Sequence, residues 1–178
     1  YYISERAKDM VSNETVILEF DAYAVNEDQF TFHTNSGLPV SIRSKKDLTM
    51  RQLEEVKRIV NEADDNPIEH IDFDTFADYY IVQELCQNGE LNGPRSCFMH
   101  LLPNGKLAAG PVWDFDLAFI TVGVDKGNDL RPMRKAGMDG VRLLTADSLY
   151  CNKALWYGRL LQDPAFAAHV KERWQMLK

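Results

Sequence analysis

The 178-residue chain has only three cysteines and four histidines, and neither set has the spacing of a metal site or a disulfide scaffold. Cys86, Cys97 and Cys151 form no CxxC, and His33, His70, His100 and His169 are dispersed, so zincin chemistry loses its usual support. The sequence also lacks GxGxxG, GxxxxGK[ST] and GxSxG, which removes the ordinary signatures of dinucleotide folds, P-loop enzymes and serine hydrolases. No apolar run approaches the ~18 residues of a membrane span, so no transmembrane helix is expected. Cations are in the minority. The 20 Lys+Arg against 27 Asp+Glu leave a net charge of -7, which opposes the phosphate attraction on which nucleic-acid binders rely, and no nucleic-acid partner is expected. The opening "YYISERAKDM" has neither an initiator Met nor a basic stretch followed by an apolar core, so no targeting segment is visible and a fragment is expected.

What is present is the composition of a soluble globular protein, with 45% hydrophobic and 26% charged residues, long enough to bury about 70% of its unfolded surface. "TVILEFDAYAV" and "QFTFHT" read as a β-hairpin and "LPVSIRS" as a third strand. "LTMRQLEEVKRIVNEADD" has Thr49 and Gln52 in capping-box spacing and Met50, Leu53, Val56, Val60 and Ala63 on one stripe, which predicts an amphipathic helix. "DFDTFADYYIVQELCQ" predicts a second helix, capped by Asp72 or Asp74, with Phe73, Phe76, Tyr80, Ile81 and Leu85 on one face. Glu84 falls on that stripe, as an edge position, a buried ion-pair partner or an anchor for the loop that follows. "SCFMHLLPNGKLAAGPVWDF" reads as a hairpin turning at Pro103-Asn104-Gly105. Residues 121 to 146 read as a long loop, and the chain closes with helices over "SLYCNKALWYGRLLQ" and "DPAFAAHVKERWQMLK", the latter capped by Asp163 with Pro164 in its first turn. The expected class is α+β in one domain, 1–178, with a β-rich part at 1–47 and a mainly helical part at 48–178 that carries the hairpin.

Within "GPVWDFDLAF" two carboxylates, Asp114 and Asp116, interrupt one of the most apolar stretches of the chain. In an extended segment they share one side while Trp113, Phe115 and Leu117 take the other. Such a pair is costly unless a cation or donors compensate, although one Asp capping a turn is the simpler alternative. With Asn88 and Glu90 at the exit of the preceding helix, they make a set of oxygen ligands suited to a hard cation such as Mg²⁺ and to phosphoryl transfer. Cys86 and Cys97 bracket a Gly/Asn/Pro turn, so they are either a disulfide, if the chain matures in an oxidising compartment, or two buried thiols.

The segments "YYISERAK", "VILEFDAY", "GLPVSIRS", "LTMRQLEEV", "FADYYIVQELCQN", "KLAAGPVWDFDLAF", "LLQDPAF" and "VKERW" resemble successive blocks of the CotH kinase family, atypical protein kinases that are secreted or found on spore coats. The resemblance spans nearly the whole chain, and "GPVWDFDLAF" is its most specific part. It implies an atypical protein-kinase-like fold, here of a truncated member whose residues 1–47 are what remains of the small lobe. It implies transfer of the γ-phosphoryl of ATP, with Mg²⁺ or Mn²⁺, to a Ser or Thr of an extracytoplasmic protein, in a secreted or cell-envelope setting. In the family an N-x-D loop supplies the catalytic acid and the first Asp of the WDFD string binds metal. Carried onto this chain, Glu90 is catalytic, where the typical member has Asp, and Asp114 and Asp116 take the metal. Arg43, with Lys45 or Lys46 as substitutes, and Asn88 serve the nucleotide. The competing readings are a catalytically inactive kinase-like interaction module of the cell envelope or spore surface, and a glycosidase-like pair of Glu90 and Asp114.

Overall fold

Residues 16–23, 30–44, 48–116, 118 and 149–177 are described by the computed structural model of the chain. The expected loop at 121–146, Lys45, Lys46, Leu117 and the first resemblance block lie outside the described residues.

Three short strands, β1 (Ile17–Phe20), β2 (Thr31–His33) and β3 (Pro39–Ile42), fall within the segments that the apolar and β-branched runs predict, but β1 and β2 do not form the expected hairpin, because β3 pairs between them. A hairpin follows later in the chain, β4 (Cys97–Leu101) and β5 (Leu107–Ala109), turning through Gly105 at φ +80°. All five strands join one antiparallel sheet in the order β2-β3-β1-β4-β5. The sheet therefore draws strands from both the 1–47 and the 48–178 segments, with β1 at its centre. Its register aligns Leu18 with Ile42 and Met99, and Phe20 with Val40 and Cys97. Because side chains alternate across a sheet, these six share one face, and all are buried. The opposite face carries Glu19, Ser41 and Phe98.

Helix α1 (Met50–Asp65) starts with the anticipated capping box between Thr49 and Gln52. Its buried stripe is Leu53, Val56, Val60 and Ala63. Met50, expected on that stripe, is 71% exposed, because it occupies the first helical position at the margin of the apolar face. A single turn, α2 (Pro67–His70), leads to α3 (Phe73–Cys86), capped by Asp72, whose carboxylate accepts the Thr75 amide. The start of α3 is pinned to the sheet: the Asp72 N–H donates to the Leu107 carbonyl, and the Ala109 N–H donates to the Thr75 hydroxyl. Leu85, assigned above to the apolar face of α3, is instead exposed. At roughly 100° per residue it lies on the side opposite Phe76.

The expected helix over 148–162 shrinks to α4 (Tyr157–Leu160), preceded by turns. At the start of that segment the two carboxylate oxygens of Glu84 accept the N–H groups of Tyr150 and Cys151 at 2.7 Å each. Leu155 at φ +45° lies outside helical geometry and interrupts the segment before α4. Glu84 is thus neither an ion-pair partner nor an anchor for the loop next to it; it fastens a segment 66 residues away. Helix α5 (Pro164–Met176) starts at Asp163 as expected and lies on α3, with Phe166 edge-on to Phe73 and Arg173 paired to Asp78. Trp156 and Tyr157 sit against Phe20, Phe76 and Tyr80 at the centre of the core.

Among the described residues no helix is long and apolar enough to cross a membrane.

Candidate functional site

The exit of α3 and the exit of β5 meet. Gln87 ends the helix in the left-handed region, and the Asn88 N–H turns back to the Gln83 carbonyl at 3.1 Å. Asn88 then caps a 3₁₀ turn, Gly89–Asn92, its side-chain oxygen accepting the Glu90 N–H at 3.2 Å. Its other end, the Nδ2 amide, donates to the backbone carbonyl of Asp114 at 3.1 Å. The residue is 1% exposed. Asn88 thus lies beneath the surface rather than on it, tied to both halves of the predicted acidic set.

The hairpin exit is irregular rather than a strand. Gly110 turns out of β5 at φ +113°, and Asp114 adopts φ +56°, a conformation that Asp tolerates better than most residues. Exposure still alternates as the sequence suggests: Asp114 and Asp116 are exposed, while Trp113 and Phe115 are half-buried. Trp113 stands edge-on to Phe98 with ring centroids 6.2 Å apart, which seats the aromatic side of the motif on the sheet. The two carboxylates therefore keep their hydration, while Trp113 packs on the sheet face opposite the core.

Three residues that the sequence did not single out complete the site. Ser96, itself at φ +48°, places its hydroxyl 3.2 Å from the Asp114 carboxylate and its N–H 3.4 Å from the Asp21 carboxylate. Asp21 follows the end of β1 and accepts the Tyr23 N–H at 2.7 Å through its other oxygen. The Arg95 guanidinium lies over the Tyr23 ring, 4.6 Å from its centroid, and the Arg95 backbone N–H donates to the Glu90 carbonyl. The only sequence signal for Asp21 was its place at the end of an apolar run, "VILEFD", which parallels that of Asp114.

Glu90 is 7% exposed, and burial pushes its carboxyl up to about 7. The Arg95 charge opposes the shift, while Asp114, Asp116 and Asp21 add to it. A carboxyl with that midpoint changes charge in the neutral range, as a general base must.

Arg43 leaves β3 and its Nε donates to Glu19, which is buried on β1 two residues before Asp21. It is therefore an ion-pair partner on the sheet face opposite the core. The three cysteines are free thiols. The Cys86–Cys97 bridge is not formed: Cys97 is buried and its thiol donates to the Arg95 carbonyl at 3.1 Å, while Cys86 stands half-buried. The alternative of separate thiols is the one the structure adopts. Cys151, also buried, donates to the Asn88 carbonyl at 3.8 Å.

The side chains of Glu90, Asp114, Asp116 and Asp21 offer oxygen ligands, the type that a hard cation takes. Among the described residues no three His, Cys, Asp or Glu side chains stand together at metal-holding separation. Glu90, Asp114 and Asp116 therefore do not converge as a three-carboxylate cage. A separate cleft of about 210 Å³ between α3 and the β5 exit, lined by Thr75, Tyr79, Val82, Pro111 and Val112, is smaller than the roughly 300 Å³ at which ligand pockets usually begin.

Against known proteins, the model of the CotH kinase protein family matches residues 1–178. The chain belongs to the CotH kinase family. No curated protein and no solved structure matches it.

Proposed function

We propose that this domain is an atypical, ATP-dependent protein kinase with a protein-kinase-like fold, acting on Ser or Thr hydroxyls of an extracytoplasmic protein of the secreted or cell-envelope class. The family supports the reaction class. The observation that carries the assignment of residues is the Asn88 side chain, which joins the Glu90 loop to Asp114 through two hydrogen bonds.

Asp114, exposed and held by Ser96, would bind Mg²⁺ or Mn²⁺, with Asp116 as a second carboxylate. The cation, when bound, neutralises charge on the β- and γ-phosphate oxygens. Glu90 orients the acceptor hydroxyl and takes its proton as the new oxygen–phosphorus bond forms and the bond to the ADP oxygen breaks. Burial keeps Glu90 basic enough to hold that proton. Glu has one methylene more than the Asp typical of this position, and the 3₁₀ turn capped by Asn88 sets where the longer side chain starts. Arg43, fixed by Glu19, supplies positive charge from the sheet side.

The test is transfer of labelled γ-phosphate from ATP to a protein acceptor, with Mg²⁺ or Mn²⁺, by the wild type, Glu90→Gln and Asp114→Asn. Transfer by the wild type that falls about 100-fold or more in either variant supports the reading. Nucleotide binding without transfer would favour an inactive kinase-like interaction module, for which the Glu at position 90 is the specific pointer. Absence of both would overturn the kinase reading for this chain.

A further inference from the structure

The geometry points to Asn88 as a positioning residue: its buried carboxamide is the brace that sets the loop carrying Glu90 against the hairpin exit carrying Asp114. The inference rests on the reading of Glu90 and Asp114 as the acting pair, and it replaces a nucleotide contact by Asn88 with an indirect role.

A carboxamide has one end that accepts and one that donates, and here the partners leave a single choice. The Glu90 N–H requires an acceptor and the Asp114 carbonyl requires a donor, so rotating the group would put N–H against N–H and oxygen against oxygen. No ionised or purely donating side chain can do both. Asp at 88 would have nothing to donate to Asp114, and Ser could cap the 3₁₀ turn without reaching the hairpin. The brace is itself held at both backbone groups, by the Gln83 carbonyl on one side and the Cys151 thiol on the other. At 1% exposure it has no room for a ligand.

Asp114 needs such a hold. Its left-handed backbone lies in an irregular segment, and its carboxylate and carbonyl are gripped from different directions, by Ser96 and by Asn88. A metal-binding Asp fixed at both ends stays in register with Glu90, and a displacement of about 1 Å at this distance from the chemistry costs roughly 100-fold in rate.

The decisive variant is Asn88→Ser, which keeps a capping oxygen for the 3₁₀ turn and removes the arm to Asp114. Backbone ¹⁵N relaxation is measured on wild type and variant, together with phosphoryl-transfer kinetics. The expected result is that order parameters of the Asp114 and Phe115 amides fall from about 0.85 to below about 0.6, while those of β4, β5 and Gly89–Asn92 hold. The kcat should fall about tenfold or more with KM for MgATP changed less than about threefold. Asn88→Asp, which also lacks the donor, should loosen the same amides. Unchanged order parameters at Asp114 and Phe115 in both variants, or loosening confined to Gly89–Asn92, would overturn the brace. A wild type without transfer activity would count against the kinase reading alone, because the relaxation data still decide the brace.

Discussion

The indole N–H of Trp156 donates to the carboxylate of Asp64 at 2.9 Å, across 92 residues of chain. The same carboxylate accepts the N–H and hydroxyl of Ser36 at 2.7 and 2.8 Å, so it ties the end of α1 to the β2–β3 turn and to the segment entering α4. Burial raises the Asp64 carboxyl, but the hydrogen bonds from Trp156 and Ser36 outweigh it and leave the group below its ordinary value. A lowered carboxyl contributes stability above its unfolded value, about 3.9, and loses it as the pH falls through the folded value. Asp64→Asn should therefore lower the unfolding free energy at pH 7 by about 2–3 kcal/mol. The gap to wild type should narrow as the pH drops below about 3.9. Urea titrations at neutral and acid pH measure both, and equal stability at pH 7 would remove Asp64 from its structural role.

Phe76 is 1% exposed and packs against Trp156 and Tyr157, so Phe76→Ala should cost about 3–5 kcal/mol. Leu85→Ala on the opposite side of the same helix should change stability by less than about 0.5 kcal/mol. The pair of denaturation midpoints checks the helix face directly: a large loss at Leu85 with a small one at Phe76 would reverse it.

Glu90, raised to about 7 in the folded protein, binds a proton there more tightly than in the unfolded chain, where a Glu titrates near about 4.3. Its contribution to stability is full below about 4.3 and disappears as the pH rises through 7. Glu90→Gln should flatten the fall in melting temperature between about pH 5 and 8. A variant that follows the wild-type pH profile would show that Glu90 titrates normally.

Asp114→Asn keeps the size of the side chain and removes one of the charges that raise Glu90, so the Glu90 midpoint should fall. On the kinase reading the variant should lose Mg²⁺-dependent ATP binding and keep or gain stability without ligand. If Asp114 only shapes the turn, stability should instead drop by about 1 kcal/mol with the Mg²⁺ response unaltered. Calorimetric melting with and without MgATP separates the two outcomes.

All three thiols are free, and two are fully enclosed. A thiol reagent should modify Cys86 first in the native protein, slowly because burial raises its thiol above the usual value. It should find three reactive cysteines once the unreduced protein is unfolded. One reactive cysteine after unfolding would restore a Cys86–Cys97 bridge.

The elements that local rules specify were legible without coordinates. Thr49 with Gln52, Asp72 and Asp163 each cap the helix that their neighbours predict, because capping depends on residues three apart. The 148–162 segment was misread for the complementary reason: its helical pattern is local, but the chain takes φ +45° at Leu155 and is held at its start by Glu84 from α3. Glu90, Asn88, Asp114 and Asp116 were visible as an acidic pattern on two neighbouring segments. Asp21, Ser96 and Arg95 were not, since β1 reaches the site only through its pairing with β4.

By itself the sequence determined the α+β class, the β4–β5 hairpin, the capped helices and the family, all of which follow from short-range periodicity and motif. Tertiary structure alone decided that the hairpin joins the N-terminal strands in one sheet, that Asn88 is buried between Glu90 and Asp114, and that Glu90 carries a raised carboxyl. The physical reason is range: hydrogen-bond partners and desolvation depend on which distant segments meet, and no spacing along the chain encodes the burial that moves a proton.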